Sequence, residues 1–382
     1  MHVLRNGTVV DADGTREADV AVEAGEIIAV GDVGYGDAET DVSGRFVAPG
    51  LVDSHVHLMM DGRPDVASAI AESDFEHAYV AAANLRAAVE AGVTTIRDLG
   101  APSTLALDAG TAVAAGKLVG PRVLACGENV TMTGGHGHWF GREADGPDEV
   151  RRAAREQLKR GADVVKCMAT GGVLTEGAQT GAPELTYEEI EALVDAASAK
   201  GVPTAAHAHG REGLLNAVDA GITSIEHGTF MDREAAAAMA DAGTYWVPTA
   251  SALFNIVDNP DAGIPASAMA KAEASAESFV TSFDHTAAEG VTVAMGTDAG
   301  TPFNYFGDIP QEMGYMVEHG MTPAEALEAA TVNGAELCGL DDVGRVAEGY
   351  RADLVVLDSN PAEDADAWTD PEHVFADGVH VV

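Results

Sequence analysis

The residues with the clearest chemical potential close an apolar run, Phe46-Val47-Ala48-Pro49-Gly50-Leu51-Val52-Asp53-Ser54-His55-Val56-His57. Side chains alternate faces along a strand, so His55 and His57 point the same way, and two imidazoles on one face can share a cation. Taken alone, a His-x-His pair is as readily an accident of composition. Its weight depends on whether other ligand-competent residues recur at other strand ends, because a parallel barrel collects its catalytic groups at the C-terminal ends of its strands.

They do recur. Strand-like runs follow at 93–98, 122–126, 162–168, 202–207, 223–227, 245–249 and 291–298, making eight with the first. The fourth delivers Lys166 from an apolar run, the fifth His207, the sixth His227 and the eighth Asp298. Singly, His207 or His227 reads as a hydrogen-bonded core histidine, and Asp298 as a helix N-cap before Gly300-Thr301-Pro302. Jointly these readings weaken, since histidine, lysine and aspartate converging at one barrel mouth are costly to bury without partners.

The elements that must hold these residues alternate strand with helix, the pattern of a parallel α/β fold. Capping boxes stand at Ser73/Glu76, Thr186/Glu189 and Thr322/Glu325, the last with Pro323 at the first helical position. Residues 50–339 therefore fit a (β/α)8 TIM-like barrel, a fold of typically ~250 residues. Residues 1–49 and 340–382 have strand-and-turn character instead, with Asn6-Gly7 and Ala24-Gly25 as hairpin signals. Each is too short for a core of its own, so the two ends are expected to form one discontinuous small β-sandwich domain.

Composition bounds the function. The chain has 382 residues, 46% of them hydrophobic, and carries 21 Lys plus Arg against 62 Asp plus Glu, a net charge of -41. Such a surface repels nucleic acid and anionic membranes, and its self-repulsion is relieved by salt, which points to a high-salt cytoplasm. The acids are spread along the chain, which disfavours one cationic partner docking on a single block. The start, Met1-His2-Val3-Leu4-Arg5-Asn6-Gly7, lacks a basic region followed by an apolar one, and no uninterrupted apolar stretch is long enough to span a membrane, so a soluble cytoplasmic protein is expected. Cys126, Cys167 and Cys338 are scattered and odd in number, implying neither disulfides nor a zinc knuckle. Cys167 should face away from Lys166.

With these residues assembled, the chain resembles the amidohydrolase superfamily, in the branch similar to Xaa-Pro dipeptidases (prolidase-like) and imidazolonepropionase. The likeness runs from Pro49-Gly50-Leu51-Val52-Asp53-Ser54-His55-Val56-His57 through Ile225-Glu226-His227-Gly228 and Gly296-Thr297-Asp298 to Ala352-Asp353-Leu354-Val355-Val356-Leu357-Asp358. It implies two divalent metal ions, zinc fitting the donor set best, with His55, His57 and Asp298 on one and His207 and His227 on the other. Lys166, carboxylated by carbon dioxide, would bridge them. A lysine in an apolar strand has a depressed pKa, and a neutral amine can form a carbamate. Two ions about 3.5–4 Å apart clamp and acidify a water. Asp298 then carries its proton to the leaving amine.

The same resemblance gives His136, in the glycine-rich loop Thr133-Gly134-Gly135-His136-Gly137-His138, a substrate-binding or carbonyl-polarising role, with His138 as the second choice. His209, on the face of His207, is a candidate for a substrate carboxylate. Residues 169–181 form a long connection that could be a lid or a spacer. Arg151, Arg152, Arg155, Lys159 and Arg160 make a basic helix face better suited to solvent or a subunit contact than to an anion site. Three functions stay in play: hydrolysis of a dipeptide or N-acyl amino acid, cyclic amide hydrolysis like that of imidazolonepropionase, and a non-catalytic barrel used for binding. The ligand set disfavours the third, and Lys166 separates the first two, because imidazolonepropionase resembles a mononuclear variant without the bridging lysine. A small-molecule amide is the expected partner, with a homo-oligomer possible.

Overall fold

A computed structural model describes residues 1–174, 179–260 and 262–382. The first strand of the central region, Leu51–Val56, pairs in parallel with Val93–Asp98, which pairs in parallel with Arg122–Ala125. A second parallel set runs Val165–Met168, Thr204–Ala208, Ser224–His227 and Tyr245–Val247, with the short strands Val130–Thr131 and Arg142–Glu143 at its edge. Every residue of Leu51–Val56, Val93–Asp98, Val165–Met168, Thr204–Ala208 and Ser224–His227 is buried, as expected of parallel strands covered by helices.

The expected eighth strand is not a continuous ladder. Residues 291–299 carry two isolated parallel bridges, Val293 to Trp246 and Ala299 to Val56. Backbone bonds complete the connection on both sides: Ala294 N–H donates to the Trp246 carbonyl at 3.0 Å, and Ser54 N–H to the Met295 carbonyl at 2.9 Å. Next to the second bridge, Asp298 takes a positive φ of 60°, outside strand geometry. At the opposite seam, Arg122–Ala125 meets the second set through Asp163 N–H and the Ala125 carbonyl, 2.9 Å apart.

The three capping boxes form, with both reciprocal bonds, at the heads of the helices Asp74–Glu90, Tyr187–Ser198 and Pro323–Glu328. The basic helix, Pro147–Arg160, starts on a proline and ends at Gly161 with φ 96°, a left-handed conformation that glycine adopts without cost. Arg151 there pairs with Asp148, and Arg160 with Glu128. The three cysteines are buried and free, and Cys167 belongs to the helix-side core while Lys166 lines a cavity.

The chain ends share a single sheet of eight strands. Its order places Leu354–Leu357 beside Phe46–Pro49 and that strand beside His2–Asp11, with a core of Leu4, Val9, Val20, Ile27, Val346, Leu354, Val356 and Phe375 drawn from both ends. Ala24-Gly25 makes the expected turn, with φ of 52° and 87° between Gly14–Glu23 and Glu26–Gly31. Asn6-Gly7 does not. It lies inside the strand His2–Asp11, where Asn6 (φ 61°) marks a register shift between Leu4 and Gly7, so the left-handed Asn6 serves in a bulge. The apolar run at 46–57 is likewise two strands, divided at Gly50. A Cβ there would lie 2.2 Å from Thr94 Oγ1, so any larger residue at the crossing between the sheets would displace Thr94.

Candidate metal and active site

His55 and His57 leave the strand Leu51–Val56 toward one cavity, and hydrogen bonds settle how each ring is presented. The Nδ1–H of His55 donates to Glu226 Oε2 at 2.8 Å, and that of His57 to the Gly100 carbonyl at 2.8 Å. His227 Nδ1 lies 2.7 Å from Thr249 Oγ1, whose own proton is directed to the Pro248 carbonyl, so the imidazole is the donor. All three rings therefore spend their proton at Nδ1 and keep a lone pair on Nε2. Burial, the largest cause in each case, holds His55 and His227 well below the usual histidine range and His57 at about 4. Neutral imidazole is the metal-binding form.

Asp298 meets these lone pairs. Its Oδ1 lies 3.4 Å from His55 Nε2 and 3.3 Å from His57 Nε2, is buried, and has no hydrogen-bond partner. A carboxylate oxygen facing two bare nitrogens is repulsive unless a cation lies among them. Separations of this size are those kept by donors about 2.0–2.2 Å from one tetrahedral ion. The orphaned Oδ1, the fixed tautomers and the mixture of nitrogen and oxygen donors fit a divalent metal. Burial also raises the Asp298 pKa, so its ionised form calls for a compensating positive charge.

Two groups of donors lie within 4.8 Å of one another: His55, His227 and Asp298, and His207, His209 and His227. The second brings in His209, which the sequence reading sets aside for substrate. His207 Nε2 is buried and has no hydrogen-bond partner. Lys166 lines the same cavity, almost wholly buried, and its pKa is lowered chiefly by desolvation against the opposing pull of Glu226 and Asp298. His136 reaches the site as well: its ring stands 4.3 Å from that of His207, its backbone N–H donates to Glu184, and Gly172 passes so close that a Cβ would fall 2.4 Å from the ring. His138 is elsewhere. Its Nδ1 is 2.9 Å from the Gly135 carbonyl, and it is not among the cavity-lining residues, because the turn at Gly137 (φ 67°) carries it off.

Sequence reasoning assigns no role to Glu226, Arg97 or Thr249. Glu226 is completely buried and accepts from His55, from Arg97 Nη2 at 3.1 Å and from Ser224 Oγ at 2.5 Å. Its signal is an acid one residue before His227 in the strand Ser224–His227. Asp53 serves similarly, accepting from the backbone of His55 at 3.0 Å and from Thr297 Oγ1 at 2.6 Å, thereby tying the first strand to the Asp298 segment. His227, Thr249 and Asp298 all have positive φ, at 69°, 56° and 60°, so backbone strain gathers at the site.

The polar cluster lies at the base of one cavity open to solvent. Beyond the polar cluster its walls include Met60, Val66, Phe140, Leu253, Ile256 and Phe279. Val173 and Leu174, in the connection the sequence offers as a lid, also line it, whereas residues 175–178 of that connection lie outside the described residues.

Residues 46–381 match the model of the Amidohydrolase family. Ochratoxinase of Aspergillus niger is 31% identical over 363 residues, which cover 86% of this chain and 74% of the relative. Imidazolonepropionase of Nocardia farcinica is 29% identical over 371 residues, covering 90% and 86%. Among solved structures, a Xaa-Pro dipeptidase with bound methionine in the active site superposes with a TM-score of 0.93 at 32% identity, covering 99% of both chains.

Proposed function

The chain belongs to the amidohydrolase family, and from that premise we propose that it hydrolyses the amide bond of a dipeptide or N-acyl amino acid with apolar groups beside the scissile bond. The observation carrying this reading is the convergence of Asp298 Oδ1 with the bare Nε2 atoms of His55 and His57. In the proposed architecture residues 50–339 form a (β/α)8 barrel around this mouth, and residues 1–49 and 340–382 its β-domain.

Two divalent ions, zinc by the donor chemistry, would be held by His55, His57, Asp298, His207 and His227 with carboxylated Lys166 between them. When bound they supply positive charge that polarises the carbonyl and acidifies the attacking water. The chain's own groups do the rest. Asp298 accepts a proton from that water as its oxygen attacks the carbonyl carbon, and gives it to the amide nitrogen as the C–N bond breaks. His136, beside His207 at the mouth, is placed to hold the substrate carbonyl. Phe140, Leu253, Ile256 and Phe279 enclose the apolar parts of the substrate and keep bulk water away.

Lys166 favours this reading over an imidazolonepropionase-like one, because a carbamate bridge serves two ions and imidazolonepropionase resembles a mononuclear variant without that lysine. The Xaa-Pro dipeptidase that superposes on this chain has methionine bound in its active site, which supports an apolar amino-acid moiety. The acid excess supports a protein at work in high salt with a small uncharged or weakly charged substrate. Among the described residues no helix is long and apolar enough to cross a membrane.

The test is a screen of zinc-loaded protein in high salt against dipeptides, N-acyl amino acids and cyclic amides. Turnover of linear amides with apolar side chains is expected. Turnover confined to cyclic amides would replace the substrate assignment, and binding without turnover would leave a non-catalytic barrel.

A further inference from the structure

We propose that His209 is a metal ligand, completing with His207 and His227 a three-histidine site; this rests on the metal-dependent reading above. Strand alternation sends His207 and His209 to the same side, and the three rings pack with centroids 4.6, 4.6 and 4.8 Å apart. Their donor atoms lie within 4.8 Å of one another, and His207 Nε2 is buried without a hydrogen-bond partner.

His209 is, moreover, mounted the way His227 is. His227 Nδ1 is held by Thr249 Oγ1 at 2.7 Å, and His209 Nδ1 by Thr229 Oγ1 at 2.6 Å. The two rings lie side by side, with 16° between their planes and centroids 4.8 Å apart. A second bond, from the His209 backbone N–H to Thr170 Oγ1 at 2.9 Å, anchors the residue itself. Imidazoles on metals are oriented by such partners on the remote nitrogen.

This assignment competes with a contact to a substrate carboxylate, and proton placement separates the two. An anion needs an N–H at Nε2, whereas a metal needs a lone pair there and the proton at Nδ1, facing Thr229. Three neutral nitrogen donors with a further position open is a donor set zinc accepts without a carboxylate. The site would thus hold its ion even when Lys166 is removed.

The test measures zinc affinity by chelator competition, and zinc's nitrogen coordination by X-ray absorption, in the parent, in His209→Gln and in Thr229→Val. The expected result is affinity for one of two equivalents weakened at least about tenfold in both variants, one fewer imidazole per ion pair in His209→Gln, and KM at saturating zinc within about threefold of the parent. Thr229→Val keeps the ring and its bulk, so it still tests the proposal if His209→Gln folds poorly. Unchanged zinc affinity together with a raised KM would overturn the proposal and return His209 to the substrate while leaving the hydrolase reading standing. A parent that binds no divalent ion would overturn both.

Discussion

Glu226 accepts the Nδ1–H of His55 at 2.8 Å although 171 residues separate them in the chain. That bond fixes the imidazole so that its lone pair faces Asp298, and Arg97 holds the carboxylate from its other side at 3.1 Å. Glu226→Gln leaves one acceptor oxygen for the three donors His55, Arg97 and Ser224, so the ring is freer to turn or to change tautomer. Glu226→Gln is expected to weaken metal binding by about 10–100-fold, the usual effect of losing such a partner. Chelator competition checks this, and affinity equal to the parent's would show that packing alone orients His55.

Lys166→Ala should lower the metal content from about two ions per chain toward one and abolish turnover, with partial recovery on adding short carboxylic acids that replace the bridging oxygens. Metal analysis beside an activity assay decides it. Full occupancy with normal turnover in the variant would exclude a bridge.

Asp298→Asn keeps the size and one oxygen donor but cannot take the proton. Turnover should fall by roughly 10²–10⁴-fold with a much smaller change in KM, since the lost interaction belongs to the transition state. Kinetics at matched metal occupancy measure both. A loss of only a few-fold would move the proton transfer to another group, with His136 first in line.

Burial pushes Glu312 up to about 7 from an ordinary 4.5, despite the bonds it accepts from the backbone of Ala250 and Ser251 beside the His227 partner Thr249. Between those values the folded state binds more protons than the unfolded chain, so this group's contribution to stability declines as pH rises. The stability of the parent minus that of Glu312→Gln should fall by roughly 3 kcal/mol between the ordinary and the raised pKa. Chemical denaturation at constant salt gives the difference, and a rise across that window would contradict the assignment.

Gly50→Ala places a methyl 2.2 Å from Thr94 Oγ1 and should cost about 1–3 kcal/mol, as overpacking does. Adding Thr94→Ala, which removes the Oγ1 and Cγ2 atoms at 2.2 and 2.3 Å but leaves Cβ at 2.8 Å, should recover part of the loss. Strictly additive costs in the double variant would place the strain elsewhere.

Much of this site is legible in the sequence because strand periodicity and strand ends are local signals. His55, His57, Lys166, His207, His227 and Asp298 each stand at or near the end of an apolar segment. What escapes is whatever depends on a partner distant in the chain. Glu226 looks like any acid in a short strand until the fold carries it to His55. Nothing local distinguishes His209 from a substrate contact until Thr229 is seen beside it. Alternation identifies the terminal strands but not their partners, so a single eight-stranded sheet is not foreseeable from it. Asn6-Gly7 misleads because a residue that tolerates a left-handed conformation, as Asn6 does, suits a hairpin turn and a bulge equally. The segment at 291–299 reads as an eighth strand since its composition is apolar, whereas it joins its neighbours through isolated bridges at Val293 and Ala299.

The most direct measurement counts metal and turnover together. The protein is stripped with a chelator in high salt, then titrated with zinc in the presence of bicarbonate, while bound metal and hydrolysis of an N-acyl amino acid bearing an apolar side chain are followed. A metal-dependent hydrolase of this design shows no turnover when stripped, and activity that rises to a plateau at about two zinc ions per chain. Full activity in the stripped protein would contradict it, as would saturation of zinc binding with no hydrolysis of any linear amide.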